Sequence, residues 1–246
     1  MIDTHAHIYN EYYDNIDSLV SELKNNNIIG VINASTNNKD ALEVIELSKK
    51  YNNFLYPIIG IHPEEIDNYD LKSLEDLIVN NKIYGIGEIG LDYHYNKENK
   101  EAQKKLFIDQ IKIAIKYNLP VVVHTRDSIQ DCFDILKQFK VRGIIHCFSG
   151  SKEMAKEFIK LGFKLGIGGV LTFKNSKLYE VINEFDLINF VLETDSPYLS
   201  PEPFRGKQNK PSNVYFVAKK ISELKCVSLE EVINITTNNA REVFDI

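Results

Sequence analysis

Eight short runs rich in Ile and Val recur along the chain, at 2–7, 28–34, 54–60, 84–90, 120–125, 143–147, 163–169 and 190–195, each followed by a longer amphipathic or polar stretch. Near-continuous apolar runs of this length read as strands buried on both faces, and parallel strands need helical crossovers between them. The stretch 98–117 supplies one crossover, because Leu106, Ile108, Ile111 and Ile115 keep the 3.6-residue period of one helical face. Another lies at 152–161. Eight strand and helix units in 246 residues fit an α/β chain wound as a (β/α)8 TIM barrel. An open doubly wound sheet usually has fewer strands and a Gly-rich phosphate turn after the first, and no such turn follows residue 7. Beyond a Pro-rich loop at 196–211, helices are expected at 211–225, 228–235 and 238–244, completing the outer ring. With no repeat, low-complexity segment or Gly/Ser linker, residues 1–246 read as a single domain.

Composition narrows the class further. At 43% hydrophobic and 26% charged the chain is globular rather than disordered, and no apolar stretch is long enough to span a bilayer. The net charge of −6 speaks against a protein that coats duplex DNA through many phosphate contacts. Cys132, Cys147 and Cys226 are odd in number and form no C-x-x-C pair, so neither a disulfide framework nor a thiolate zinc site is indicated. Together with a start that lacks a basic segment followed by an apolar run, this predicts a cytoplasmic protein in a reducing compartment. No membrane and no obligatory protein partner is called for, and a monomer is expected.

The chemistry collects at strand ends. His5 and His7, two apart on the first strand, face the same side. His124 and His146 end the fifth and sixth runs, Glu88 lies near the end of the fourth, and Asp195 closes the eighth. The C-terminal ends of barrel strands form the face that carries active sites. Any one of these six residues reads equally well as a satisfied polar group of the core, but six on one face do not. Four imidazoles and two carboxylates exceed what one tetrahedral ion with an open position needs, and suit two divalent ions sharing a bridge, for which Glu88 has two oxygens. Nitrogen ligands favour Zn, Mn, Fe or Co, whereas Mg prefers oxygen and water.

Taken with their neighbours, these residues form blocks: Asp3-Thr4-His5-Ala6-His7, Gly60-Ile61-His62-Pro63, Gly87-Glu88-Ile89-Gly90-Leu91-Asp92-Tyr93, His124-Thr125-Arg126-Asp127, His146-Cys147-Phe148-Ser149-Gly150, Glu193-Thr194-Asp195-Ser196-Pro197-Tyr198 and Pro203-Phe204-Arg205-Gly206-Lys207. In order and spacing they resemble the TatD family of metal-dependent hydrolases, a branch of the amidohydrolase-like barrels. The resemblance implies a deoxyribonuclease that needs divalent metal and trims single-stranded ends from the 3′ side through a two-metal-activated hydroxide. It implies one ion on His5, His7, Glu88 and Asp195, and another on Glu88, His124 and His146. His62 becomes a substrate or third-metal contact, or a strand-end residue without a role.

Two positions depart from the family pattern. Glu64 stands where members often have another His, and Gln208 where many have Arg. For phosphodiester cleavage Asp195 is the expected general base, with Glu88 holding the metal pair. Arg205 and Lys207 are expected on substrate phosphate, Arg205 as a fork and Lys207 as a point charge. Arg126 either binds phosphate or pairs with Asp127 or Glu88, and the Tyr93, His94, Tyr95 cluster either stacks on bases or packs. Rival readings are a D-aminoacyl-tRNA deacylase or another ester or amide hydrolase on the same centre, and a metal-dependent binding protein.

Overall fold

The apolar runs form strands buried on both faces. The computed structural model describes residues 1–94 and 98–246, with β1 (Ile2–Ala6), β2 (Gly30–Ala34), β3 (Leu55–Ile59), β4 (Gly85–Asp92), β5 (Val121–Arg126), β6 (Gly143–Ile145), β7 (Lys164–Ile167) and β8 (Phe190–Leu192). Each strand pairs in parallel with the next, in chain order from β1 to β8. The ends of the sheet meet just past β8, where the Asp195 N–H donates to His5 O at 3.0 Å and the His7 N–H to Ser196 O at 2.7 Å. Helices connect the strands, so the chain is a (β/α)8 TIM barrel.

The outer ring consists of α1 (Ile16–Asn25), α2 (Asn38–Lys50), α3 (Leu71–Asn80), α4 (Lys100–Lys116), α5 (Ile129–Leu136), α6 (Lys152–Lys160), α7 (Leu178–Glu184), α8 (Val214–Lys225) and α9 (Leu229–Phe244). Local chemistry starts several of them: Asn15, Asn37, Asp70, Ser151 and Ser228 each accept a hydrogen bond from a first-turn backbone N–H. The helix expected at 98–117 begins at Lys100, after a turn at Glu98 and Asn99. Pro211–Asn213 forms a separate 3-10 turn ahead of α8. The two helices expected at 228–235 and 238–244 are one continuous helix. In the fold Thr236 Oγ1 donates to Val232 O at 2.7 Å, and Asn239 donates to Leu187 O and Phe190 O, tying α9 to the base of β8. Among the described residues no helix is long and apolar enough to cross a membrane.

Inside the barrel the side chains are layered. Ile2, Ile32, Ile58, Val122, Ile144 and Val191 form an apolar layer closed from below by Val243 and Phe244 of α9. Two residues further along their strands, His124 and His146 keep the inward direction of Val122 and Ile144. Strand β1 needs a device to bring His5 and His7 above Ile2, since they differ from it in parity. A register irregularity between Asp3 and Ala6 supplies it, as a bulge does when it re-aims a side chain.

Three site residues sit differently along their strands from the sequence expectation. Glu88 is inside β4, at a second irregularity between Ile86 and Ile89, rather than near its end. Strand β6 stops at Ile145 and β8 at Leu192, so His146 and Asp195 ride on the segments leaving them. The reason is that strand pairing gives way to side-chain partners: the Cys147 N–H goes to Glu193 Oε1 at 2.5 Å and the Thr194 N–H to Asp3 Oδ1 at 3.0 Å.

Candidate metal centre

Glu88 is the hub. Its Oε2 lies 3.3 Å from His5 Nε2 and 3.5 Å from His7 Nε2. Its Oε1 lies 2.7 Å from His124 Nδ1 and 3.8 Å from both His62 Nε2 and His146 Nε2. Asp195 faces the same space, with Oδ1 3.5 Å from His7 Nε2, 3.6 Å from His146 Nε2 and 3.8 Å from His5 Nε2. The fold therefore brings His5, His7, Glu88, His124, His146 and Asp195 together, with His62 beside them. Arg205 and Lys207 lie on the loop beyond β8, and Arg205 stacks on the Phe173 ring at 3.8 Å. Arg126 approaches Asp92 at 4.0 Å, a carboxylate that the sequence reading gave no role.

Burial by itself lowers the pKa of an imidazole. At His7 the carboxylates of Asp195 and Glu88 outweigh burial and lift it to about 9, and at His124 Asp92 and Glu88 lift it to about 9. At His146 burial is overcome by Glu193, Glu88 and Asp195, which lift it to about 10. Burial prevails at His5 and at His62, the latter falling to about 3 beside His124. Burial also opposes ionisation of Glu88 and Asp195, yet the surrounding imidazoles hold both below the ordinary carboxylate range. The ionised carboxylates thus draw positive charge into the pocket, as protons on the imidazoles where no cation is bound.

Divalent cations fit this donor set. Ligand atoms of His5, His7 and Glu88, of His5, His146 and Asp195, and of His62, Glu88 and His124 lie within 4.8 Å of one another in each group. The Nε2 atoms of His5 and His7 face each other at 3.2 Å, and two lone pairs so placed need a cation or a proton between them. His5 Nδ1 is buried without a hydrogen-bond partner among the described residues.

Three supporting carboxylates escaped the sequence reading. Glu193 is fully buried, lies 3.1 Å from His146 Nδ1 and fills the space opposite Gly166, where a Cβ would stand 2.4 Å from its Oε2. Asp92 Oδ2 lies 3.0 Å from His124 Nε2. Buried Asp3 accepts from the His5 N–H at 3.2 Å and from Thr194 Oγ1 at 2.5 Å, tying β1 to the Asp195 turn. The signal for Glu193 was its place two residues after Val191, whose side chain belongs to the inner layer of the barrel.

The aromatic cluster resolves at one residue. Tyr93 is buried, donates to Asp131 Oδ2 at 2.8 Å and carries Lys100 Nζ over its ring at 4.2 Å, so it packs. His94 pairs with Asp127 at 3.2 Å, and Tyr95 lies outside the described residues. Of the two departures from the family pattern, Glu64 lies beside His62, with Oε2 3.6 Å from Nδ1, and Gln208 donates to Tyr12 O at 2.6 Å, anchoring a loop.

A family model described as TatD related DNase matches residues 2–245. The chain belongs to the TatD family. Among its relatives is the uncharacterized metal-dependent hydrolase YabD of Bacillus subtilis, 41% identical with 100% of this chain and 99% of YabD covered. The deoxyribonuclease TATDN3 of Homo sapiens is 30% identical, with 99% and 94% covered. The solved structure of YjjV, a TatD homolog from Escherichia coli K12, superposes with a TM-score of 0.94 at 28% identity and covers 100% of this chain and 98% of its own. This TatD-family chain is accordingly a metal-dependent hydrolase.

Proposed function

We propose that this TatD-family protein hydrolyses DNA phosphodiester bonds, removing nucleotides from the 3′ side of single-stranded ends, and that residues 1–246 act as one domain, as a cytoplasmic monomer. The observation that carries the reading is the division of Glu88: one oxygen turns to His5 and His7, the other to His124, His62 and His146. A carboxylate disposed in this way suits a bridge between two ions. In the proposal His5, His7, Glu88 and Asp195 would hold one, and Glu88, His124 and His146 the other. Divalent cations of the Mg, Mn or Zn type, when bound, supply charge neutralisation on phosphoryl oxygens and activation of water at neutral pH.

The chain's own residues do the rest. Asp195, held ionised by His146 and His7, is the general base that takes the proton from the attacking water. Glu193 faces His146 Nδ1 from behind at 3.1 Å and acts on that imidazole through its charge. Arg205, braced on Phe173, offers its fork to a non-bridging phosphate oxygen, and Lys207 adds a point charge. Arg126 acts through Asp92 to orient His124, and His62 contacts substrate at the edge of the centre.

The family description and the human deoxyribonuclease relative support DNA as substrate. A side-by-side assay of single-stranded DNA, duplex DNA, RNA, D-aminoacyl-tRNA and a phosphodiester dye, each with Mg, Mn and Zn, tests it. The expected result is stepwise shortening of a 5′-labelled single strand. Turnover of the aminoacyl ester with DNA left intact would overturn it in favour of a deacylase.

A further inference from the structure

With Tyr93 buried, the aromatic surface next to the metal centre lies elsewhere. Tyr198 is 50% exposed, and its ring centroid is 6.2 Å from that of His7. Its backbone N–H donates to Asp195 O at 2.8 Å, so the ring stands on the same turn as the proposed base. Tyr12 meets it at 6.0 Å with the ring planes 74° apart, and the two hydroxyls hydrogen-bond at 2.8 Å. Tyr9 backs Tyr12 at 5.4 Å, and Gln208 clamps the Tyr12 carbonyl at 2.6 Å.

We propose that Tyr198, braced by Tyr12, is a stacking subsite for the nucleobase of the nucleotide whose phosphate is cleaved. The proposal rests on the nuclease reading above and adds the device that selects an unpaired base. Because the Tyr198 hydroxyl is already satisfied by Tyr12, the ring offers its π face rather than a hydrogen-bonding code, and a π face accepts any base. The two rings, nearly perpendicular, form a corner in which a base stacks on one and meets the edge of the other. The hydrogen bond and the Gln208 clamp hold that corner before substrate arrives, so little freedom is lost on binding. A base in a duplex is already stacked on its neighbours and must leave them to enter, which makes a single-stranded end the preferred substrate.

The test compares wild type, Tyr198→Ala and Tyr198→Phe on two single-stranded oligonucleotides, one intact and one abasic at its 3′-terminal nucleotide, with metal content and circular dichroism measured on each protein. Losing one base stack is expected to raise KM for the intact strand about 10-fold in Tyr198→Ala, with the abasic strand and metal content unchanged. Tyr198→Phe keeps the ring and loses only the bond to Tyr12, and is expected to raise KM for the intact strand by about 2- to 3-fold, well short of Tyr198→Ala. A strand ending in 2-aminopurine, bound to the slow variant Asp195→Asn, is expected to lose fluorescence through stacking, and to regain it when Tyr198→Ala is added. Equal effects of Tyr198→Ala on both strands, or none on either, overturn the subsite while leaving the nuclease reading intact. A wild type that cleaves no DNA overturns both.

Discussion

At Asp195 the backbone enters the left-handed region, with φ at 58°, a conformation that costs a non-glycine residue of order 1 kcal/mol and persists only when its surroundings hold it. Here they do, through the Asp195 N–H on His5 O, the Thr194 bonds to Asp3, and Asn209, which donates to Thr194 O at 2.9 Å. The carboxylate is fixed among His5, His7 and His146. Asp195→Asn keeps the shape and removes the base, so hydrolysis should fall by about 10²-fold or more with the circular dichroism of the fold unchanged. Near-normal turnover would remove the role assigned to it. Glu193→Gln should weaken divalent-metal affinity about 10-fold, read by competition with a chromogenic chelator, because a neutral amide no longer supports the His146 ring. Unchanged affinity would leave Glu193 as a packing residue. Arg205→Ala should raise KM for DNA while metal content stays constant, and a change in metal content would place Arg205 in the wrong part of the site.

Among the elements, α9 and β1 show how packing decides what local pattern leaves open. Phe244 at the end of α9 is 2% exposed and plugs the N-terminal mouth of the barrel. Phe244→Ala should cost about 3 kcal/mol and lower Tm by roughly 6 °C, because the cavity it leaves is surrounded by rigid strand ends that cannot collapse into it. A shift of only a degree or two would show that the plug is dispensable. Metal binding at the opposite face should survive the substitution. The apparent break at Thr236 and Thr237 vanished because those residues are buried and Asn239 is captured by the base of β8, contacts that no helical propensity contains. The inward turn of His5 and His7 over Ile2 likewise depends on a register irregularity that the alternation of side chains does not announce.

For the whole molecule, the net charge of −6 includes carboxylates gathered around one small mouth, and the two divalent ions of the proposal would bring the total to about −2. Such a balance suits a protein that takes one strand end into a metal-centred site better than one that covers many phosphates. Chelation should silence the enzyme, and added Mn or Zn should restore it. Since cations bind the folded centre, saturating metal should also raise Tm, by about 2.7 kcal/mol of stabilisation at a hundred times Kd. Full activity in a metal-stripped sample would reject the proposed chemistry.

The order and type of the elements, and the inward direction of His124 and His146, are determined by the sequence itself, because apolar run length and strand parity are local properties, whereas His5, His7 and Glu88 reach the same face through register irregularities in β1 and β4. The supports of those residues are decided by the tertiary structure. Glu193 behind His146, Asp3 under the Asp195 turn, Asp92 on His124 and Tyr198 against Tyr12 are partners drawn from distant parts of the chain. Nothing in the spacing of such residues fixes their meeting, because closing the barrel is what brings the first strand against the last.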